Sequence, residues 1–266
     1  MSDTVSIPAT HDAAELIARV VEPQSGSAPV VLYLHGFGSS QDGEKAEFFR
    51  DRASRAGFGF VSLDFQGHGR SGGDMRGLTL TRCLEDVIRV RHAVPSATGP
   101  VCVFGSSMGA LVALWHAAIA GSRDPVRALA LISPAIGMDA SLREMLGTDG
   151  MERWQLQGIL DFTNEEGTFA LGWPLFTDLA GRPARDLAAR HRAPTLIFQG
   201  KLDDRVSWRR VAEFAVAASS SSPPAHPLIR LELLEDGDHR LIDRLDWIWA
   251  ETRDFFGRAT RQAQGT

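Results

Sequence analysis

Ser107 has a glycine two residues before it and another two after, in Gly105-Ser106-Ser107-Met108-Gly109. A serine hydroxyl attacks a carbonyl carbon when a base takes its proton and donors hold the oxyanion that forms. Glycines at this spacing permit a sharp strand-to-helix turn, because side chains there would strike neighbouring elements. The serine oxygen then stands at the carboxyl edge of a sheet, near a helix N-terminus that favours developing negative charge. Ser106 is the rival nucleophile. Its neighbours two positions away are Phe104 and Met108, neither small, so the turn centres on Ser107.

The other parts of such a site can be sought by position. His35-Gly36-Phe37-Gly38 follows the apolar run Val30–Leu34. The expected oxyanion donors are the backbone N–H groups of Phe37 and of Met108, the residue after the serine. In chain order the acid comes next, then the histidine. Gly200-Lys201-Leu202-Asp203-Asp204-Arg205-Val206 follows a late apolar run and offers two acids. Asp203 is favoured by its place midway between Gly200 and Val206, and Asp204 would point outward and cap the next helix. His239, in Glu235-Asp236-Gly237-Asp238-His239, follows the last apolar run and is the expected base. One ring nitrogen would face Ser107 and the other would be held by Asp203.

Other patterns point away from cofactors. His11, His35, His68, His92, His116, His191 and His226 show no HExxH or comparable ligand spacing, so no metal is expected, and His35 reads as structural. Gly67-His68-Gly69-Arg70-Ser71-Gly72 matches the dinucleotide pattern G-x-G-x-x-G. It does not open into a helix, and the acids about 20 residues on, Glu85 and Asp86, fall inside one. It reads as a loop crossing the sheet edge, and no cofactor is expected.

These residues need a scaffold. Residues 4–9 and 15–22 read as an antiparallel start. Strands are expected at 30–34, 58–64, 101–104, 126–132, 195–198 and 229–234. Helices are expected at 44–56, 78–94, 110–120, 207–218 and 242–256, by apolar spacing and by proline and glycine punctuation. Strands alternating with helices imply crossovers, hence an α/β protein with a mostly parallel sheet covered on both faces. Residues 137–192 break the rhythm, with no clear strand and a helical or irregular look. They carry Trp154, Leu156, Ile159, Leu160, Phe162, Phe169, Trp173, Leu175 and Phe176. The segment reads as a helical lid inserted in one domain spanning 1–266, since so long a structureless loop is uncommon. Most of these apolar side chains are expected to pack the lid onto the core or to shape a substrate pocket. Residues 219–227 read as a surface loop.

Composition sets limits. The chain has 266 residues, 44% hydrophobic and 23% charged, with a formal charge of -5. That supports a sizeable core and gives no footprint for nucleic acid or an anionic membrane. Two cysteines, Cys83 and Cys102, make no disulfide framework. No apolar stretch is long enough to span a bilayer, and the first residues lack a signal-peptide pattern. The expectation is a soluble, cytoplasmic protein of undetermined oligomeric state.

Taken together, the HGFG run, Asp64 with Gly67-His68-Gly69-Arg70-Ser71, the serine pentapeptide, the 200–206 run and Gly237-Asp238-His239 resemble the α/β-hydrolase superfamily from residue 30 onward. More narrowly, Gly43-Glu44-Lys45-Ala46, GSSMG, KLDDRVSW and GDHR resemble the group of bacterial carboxylesterases and the mitochondrial palmitoyl-protein thioesterase. The resemblance implies hydrolysis of carboxylic esters or thioesters with a hydrophobic acyl part, through an acyl-enzyme, with Ser107, Asp203 and His239 as catalytic triad. Dehalogenases and epoxide hydrolases of this fold have an aspartate where Ser107 stands, which disfavours those reactions. Two alternatives stay open. One is a serine hydrolase acting on peptide ends or carbon–carbon bonds, and the other is a non-catalytic ligand receptor on the same fold.

Overall fold

Apolar runs of five to seven residues become strands whose successive side chains serve opposite faces. β1 (Asp3–Ile7) and β2 (Leu16–Val21) pair antiparallel, as do β2 and β4 (Gly59–Leu63). β3 (Val30–Leu34) lies between β4 and β5 (Val101–Ser106), parallel to both, and β6 (Val126–Ile132) extends the parallel run. β7 (Ile159–Asn164) and β8 (Gly167–Gly172) form a separate antiparallel hairpin. β9 (Thr195–Gly200) and β10 (Ile229–Leu234) complete the sheet in the order β1-β2-β4-β3-β5-β6-β9-β10. The computed structural model describes residues 2–121, 124–220 and 228–264.

The helices are α1 (Glu44–Arg55), α2 (Leu80–Ala93), α3 (Met108–Ile119), α4 (Met138–Gln157), α5 (Trp173–Ala180), α6 (Ala184–Arg190), α7 (Trp208–Ser220) and α8 (Leu245–Gln264). Strand alternation divides the core in two. Leu32, Leu34, Val103, Leu129 and Leu131 join the residues of α2, α3 and α7 in one cluster. Tyr33, Phe104, Ala130 and Phe198 face the other way, onto Phe49 of α1 and Ile248 and Phe256 of α8. Burial on both faces explains why the central parallel strands β3, β4 and β5 carry no charged residue, whereas β10 at the sheet edge keeps Arg230 and Glu232. α3 is buried from Met108 through His116, which accounts for its nearly all-apolar sequence.

The expected strands and helices are present, with shifted ends. β5 runs on to Ser106, α3 begins at Met108, and α8 starts after a single 3-10 turn at Ile242–Arg244. Residues 219 and 220 belong to α7, and 221–227 of the expected surface loop lie outside the described residues.

The 137–192 insertion departs most from expectation. Its helices α4, α5 and α6 fit a helical cover, and α4 is broken at Gly147 (φ 63°, ψ −179°). The hairpin β7–β8 was not expected. Its pairs Phe162↔Phe169 and Leu160↔Leu171 share a face, and Asn164 Oδ1 accepts the N–H groups of Glu166 (2.9 Å) and Gly167 (3.2 Å) to make the turn. A lone hairpin is marginal in water, so packing must hold it. Trp154 Nε1 of α4 donates to Leu171 O at 3.0 Å. Further along, the Asp178 carboxylate of α5 accepts the Thr81 N–H (2.8 Å) and Thr81 Oγ1–H (2.7 Å) at the start of α2, anchoring the insertion to the body. Among the described residues no helix is long and apolar enough to cross a membrane.

Candidate active site

Ser107 is the single residue between β5 and α3. Its φ of 53° and ψ of −117° are unfavourable for an L residue, at a cost on the order of 1–3 kcal/mol. Its surroundings impose that conformation. The Ser107 N–H donates to Ile132 O at 2.9 Å, and its carbonyl accepts from the N–H groups of Ala110 (3.0 Å), Leu111 (3.2 Å) and Ala135 (3.2 Å). The two glycines are required by close approach. A Cβ on Gly105 would lie 2.6 Å from Ala110 Cα, and one on Gly109 would lie 2.2 Å from Leu34 O and 2.4 Å from His35 O. The first turn of α3 therefore rests directly on the end of β3.

β9 and β10 are parallel neighbours, and the loops leaving their carboxyl ends carry Asp203 and His239. Leu202 N–H donates to Gly237 O at 2.9 Å and joins the two loops. Asp238 Oδ1 accepts the N–H groups of Arg240 (3.0 Å) and Leu241 (2.7 Å) and turns the chain just past His239.

The three expected residues meet. His239 Nε2 is 3.1 Å from Ser107 Oγ, and His239 Nδ1 is 3.0 and 2.9 Å from the two Asp203 oxygens. With Asp203 ionised, Nδ1–H donates to the carboxylate and Nε2 accepts the Ser107 hydroxyl proton. Asp203 also accepts the N–H groups of Arg205 (2.9 Å) and Val206 (2.8 Å) and Gln199 Nε2–H (2.9 Å). Burial pushes its pKa up. The bond to His239, that ring's charge and the two backbone donors outweigh burial and hold it below the usual carboxylate value. Asp204 is exposed and makes no such contact among the described residues. Ser106 points elsewhere, its Oγ accepting from Lys45 Nζ at 3.0 Å.

The loop after β3 lies against the elbow, since a Cβ on Gly36 would come within 3.4 Å of Ser107 Cβ. The N–H groups of Phe37 and Met108 carry no hydrogen bond among the described residues, which leaves both open to an oxyanion. His35 fixes this turn. Its Nδ1–H donates to Gly36 O at 2.8 Å, and its Nε2 accepts the Phe65 N–H at 3.1 Å. Burial outweighs the Gly36 bond and lowers its pKa to about 4, so the ring stays neutral and can do both. The structural reading of His35 thus has a specific form.

These groups floor a cleft of about 910 Å³. The insertion lines it with the apolar side chains of Met138, Leu142, Met145, Phe162 and Leu171 and with the polar ones of Ser141, Glu144, Asn164, Glu165 and Glu166. Ser39, Lys45, Ser106 and Arg240 make a polar wall outside the insertion. The hairpin reaches the floor through aromatic edges, with the Phe37 ring 5.5 Å from that of Phe162 and 5.1 Å from that of Phe169. Arg205 pairs with Glu165 (3.1 Å) and Glu166 (3.7 Å) at the hairpin tip. Of the apolar insertion residues singled out by sequence, Phe162 lines the cleft. Trp154, Leu175 and Phe176 pack into the core, and Leu156 is exposed.

The glycine-rich loop at 67–72 wraps the Asp64 carboxylate, which accepts from Arg70 N (2.9 Å) and from Gln41 N (2.7 Å) and Nε2 (2.8 Å). It takes no part in lining the cleft. Sequence reasoning missed Gln199, a side-chain donor to Asp203 besides His239, and the contact of Lys45 with Ser106. One signal for Lys45 was available: a cation in the first turn of a helix opposes the helix dipole. Among the described residues no group of three or more histidine, cysteine or acidic side chains could hold a metal ion.

Comparison with known proteins agrees with this fold. The Hydrolase_4 family model, described as serine aminopeptidase S33, matches residues 25–160, just over half of the chain. The mouse mitochondrial palmitoyl-protein thioesterase ABHD10 is 26% identical over 226 residues, covering 83% of this chain and 72% of that protein. A protein called a hydrolase from Agrobacterium vitis S4 superposes with a TM-score of 0.82 at 26% identity, over 96% of this chain and 98% of its own. Est1E from Butyrivibrio proteoclasticus, solved with ferulic acid bound, gives a TM-score of 0.78 at 20% identity, over 94% and 97%. The sheet order, the strand–serine–helix elbow and the matched family model together identify the chain as a member of the Hydrolase_4 family, within the α/β-hydrolase superfamily.

Proposed function

We propose that the protein is a serine hydrolase that cleaves carboxylic esters or thioesters through an acyl-enzyme. The hydrogen-bonded series Asp203–His239–Ser107 at the floor of the cleft carries this reading. Ser107 Oγ attacks the acyl carbonyl while His239 Nε2 takes its proton. The N–H groups of Phe37 and Met108 hold the oxyanion, each lost donor in such a hole costing about 2.7–4 kcal/mol. The protonated ring gives its proton to the leaving group, and Asp203 stabilises the imidazolium without itself being protonated. Water activated by His239 then releases the acid. The 137–192 insertion serves as a lid within a single domain, its apolar side chains taking the hydrophobic part of the substrate.

The relatives lend support of a coarser kind, as a thioesterase and an esterase on the same fold. The family description favours a second reading, cleavage at a peptide end. A panel of p-nitrophenyl esters, acyl-CoAs and aminoacyl anilides separates the two. The reading itself is tested with a fluorophosphonate probe. Wild type is expected to be labelled and Ser107→Ala is not; labelling that survives the substitution removes Ser107 from the nucleophile's role.

A further inference from the structure

The basic side chains around the cleft are mostly matched. Lys201 pairs with Glu235, Arg210 with Glu144, Arg205 with Glu165 (3.1 Å) and Arg240 with Glu44 (3.0 Å). Arg209 lies over the Trp208 ring, 4.5 Å from its centroid. Lys45 differs from all of these. Among the described residues no carboxylate lies within ion-pair distance of it, and its ammonium donates only to the Ser106 hydroxyl, at 3.0 Å. It is partly buried in the polar wall.

Burial and the positive charge of Arg240 draw the Lys45 pKa down to about 8, against the more distant pull of Asp238, Asp203 and Glu44. Removing an ammonium from water without a counter-ion is costly. A substrate anion would lower that cost. The geometry suits one, because an ammonium has three donors and Ser106 takes one. The Ser106 hydroxyl can itself donate to the same anion. Ser106 directly precedes Ser107, so a group resting on this pair lies close to a carbonyl poised at Ser107 Oγ.

We infer that Lys45 and Ser106 form a subsite for a carboxylate or other anionic group of the substrate, within a few bonds of the scissile carbonyl. This rests on the hydrolase reading above and narrows its substrate class to amphipathic acyl compounds. The apolar part lies against the insertion and the anion against the start of α1. The anion can belong to the acyl part or to the leaving group, and the two sources are separable.

The test measures kcat/KM for two matched pairs. Phenyl hemisuccinate against phenyl methyl succinate carries the charge on the acyl side. 4-Carboxyphenyl butyrate against 4-(methoxycarbonyl)phenyl butyrate carries it on the leaving group. The readout is the change in each charged-to-neutral ratio from wild type to Lys45→Gln, which cancels intrinsic reactivity. A fall of about tenfold is expected in one pair, the lower end for a charge-assisted hydrogen bond, with partial recovery in Lys45→Arg. The pair that responds identifies the side that bears the anion. A fall of threefold or more in either pair supports the subsite. A smaller change in both pairs, with the esters cleaved and Lys45→Gln still labelled by fluorophosphonate, overturns the subsite and leaves the hydrolase reading standing. A wild type that cleaves none of the four esters and takes no label overturns both.

Discussion

Around Ser107 the main chain itself dictates position, whereas the hairpin of the insertion meets that floor through side chains, although a Cβ on Gly172 at its base would lie 2.2 Å from Arg76 O. On the floor, a methyl on Gly109 would sit 2.2 Å from a backbone oxygen, and four backbone hydrogen bonds clamp the serine. In the cover, the hairpin meets the floor through aromatic edges at Phe37 and ion pairs at Arg205. Backbone sterics leave little freedom, while exposed ion pairs are worth about 0–1 kcal/mol and edge contacts about 0.5–1.5. The difference teaches that, on the proposed function, the hairpin bears on the reacting groups only through a few side-chain contacts, Arg205 chief among them. On that reading the floor would hold the reacting groups still, and changes in the hairpin that spare Arg205 would leave them in place.

That contrast fails if floor and cover variants behave alike. The largest effect is expected from Asp203→Asn, which leaves the imidazole in the wrong tautomer and lowers kcat by about 10⁴-fold. Asp204→Asn is expected to change kcat by less than about threefold, the Asp204 carboxylate being exposed. A large loss in Asp204→Asn alone would transfer the acid's role to that residue. Gly109→Ala ranks next. Forcing a methyl against the Leu34 carbonyl is expected to cost about 1–3 kcal/mol, or roughly 2–6 °C in melting temperature by calorimetry. An unchanged melting temperature would show the elbow to be softer than its spacing implies. The smallest effect is expected from Phe162→Ala in the cover. It should raise KM for apolar acyl esters about three- to tenfold and move kcat less, shifting chain-length preference across an ester series. A collapse of kcat there would mean that the hairpin belongs to the chemistry.

The same divide decided what the sequence disclosed. The elbow, the turn at Gly36 and the acid and histidine loops were legible because close backbone approach leaves a mark on residue type. The order of serine, acid and histidine along the chain then did the rest. The central strands of the sheet were legible because burial on both faces makes them nearly all apolar. The β7–β8 hairpin was not. Its inward residues Leu160, Phe162, Phe169 and Leu171 alternate over too few positions, and Ile159 breaks the pattern by placing an apolar residue on the exposed side. It is supported by Phe37, far earlier in the chain, and by Trp154 of the adjoining helix α4, contacts that its own short pattern does not announce. The contact of Lys45 with Ser106 spans 61 positions and depends on where α1 lands, so only the odd placement of a cation at a helix start hinted at it.

Arg205 belongs to both regions at once. Its peptide N–H steadies the Asp203 carboxylate, while its guanidinium grips the hairpin tip. A hairpin displaced with that grip intact pulls on the very loop that orients the imidazole. On the proposed function, admission of substrate and readiness to react would thus share one mechanical joint, two residues beyond the acid.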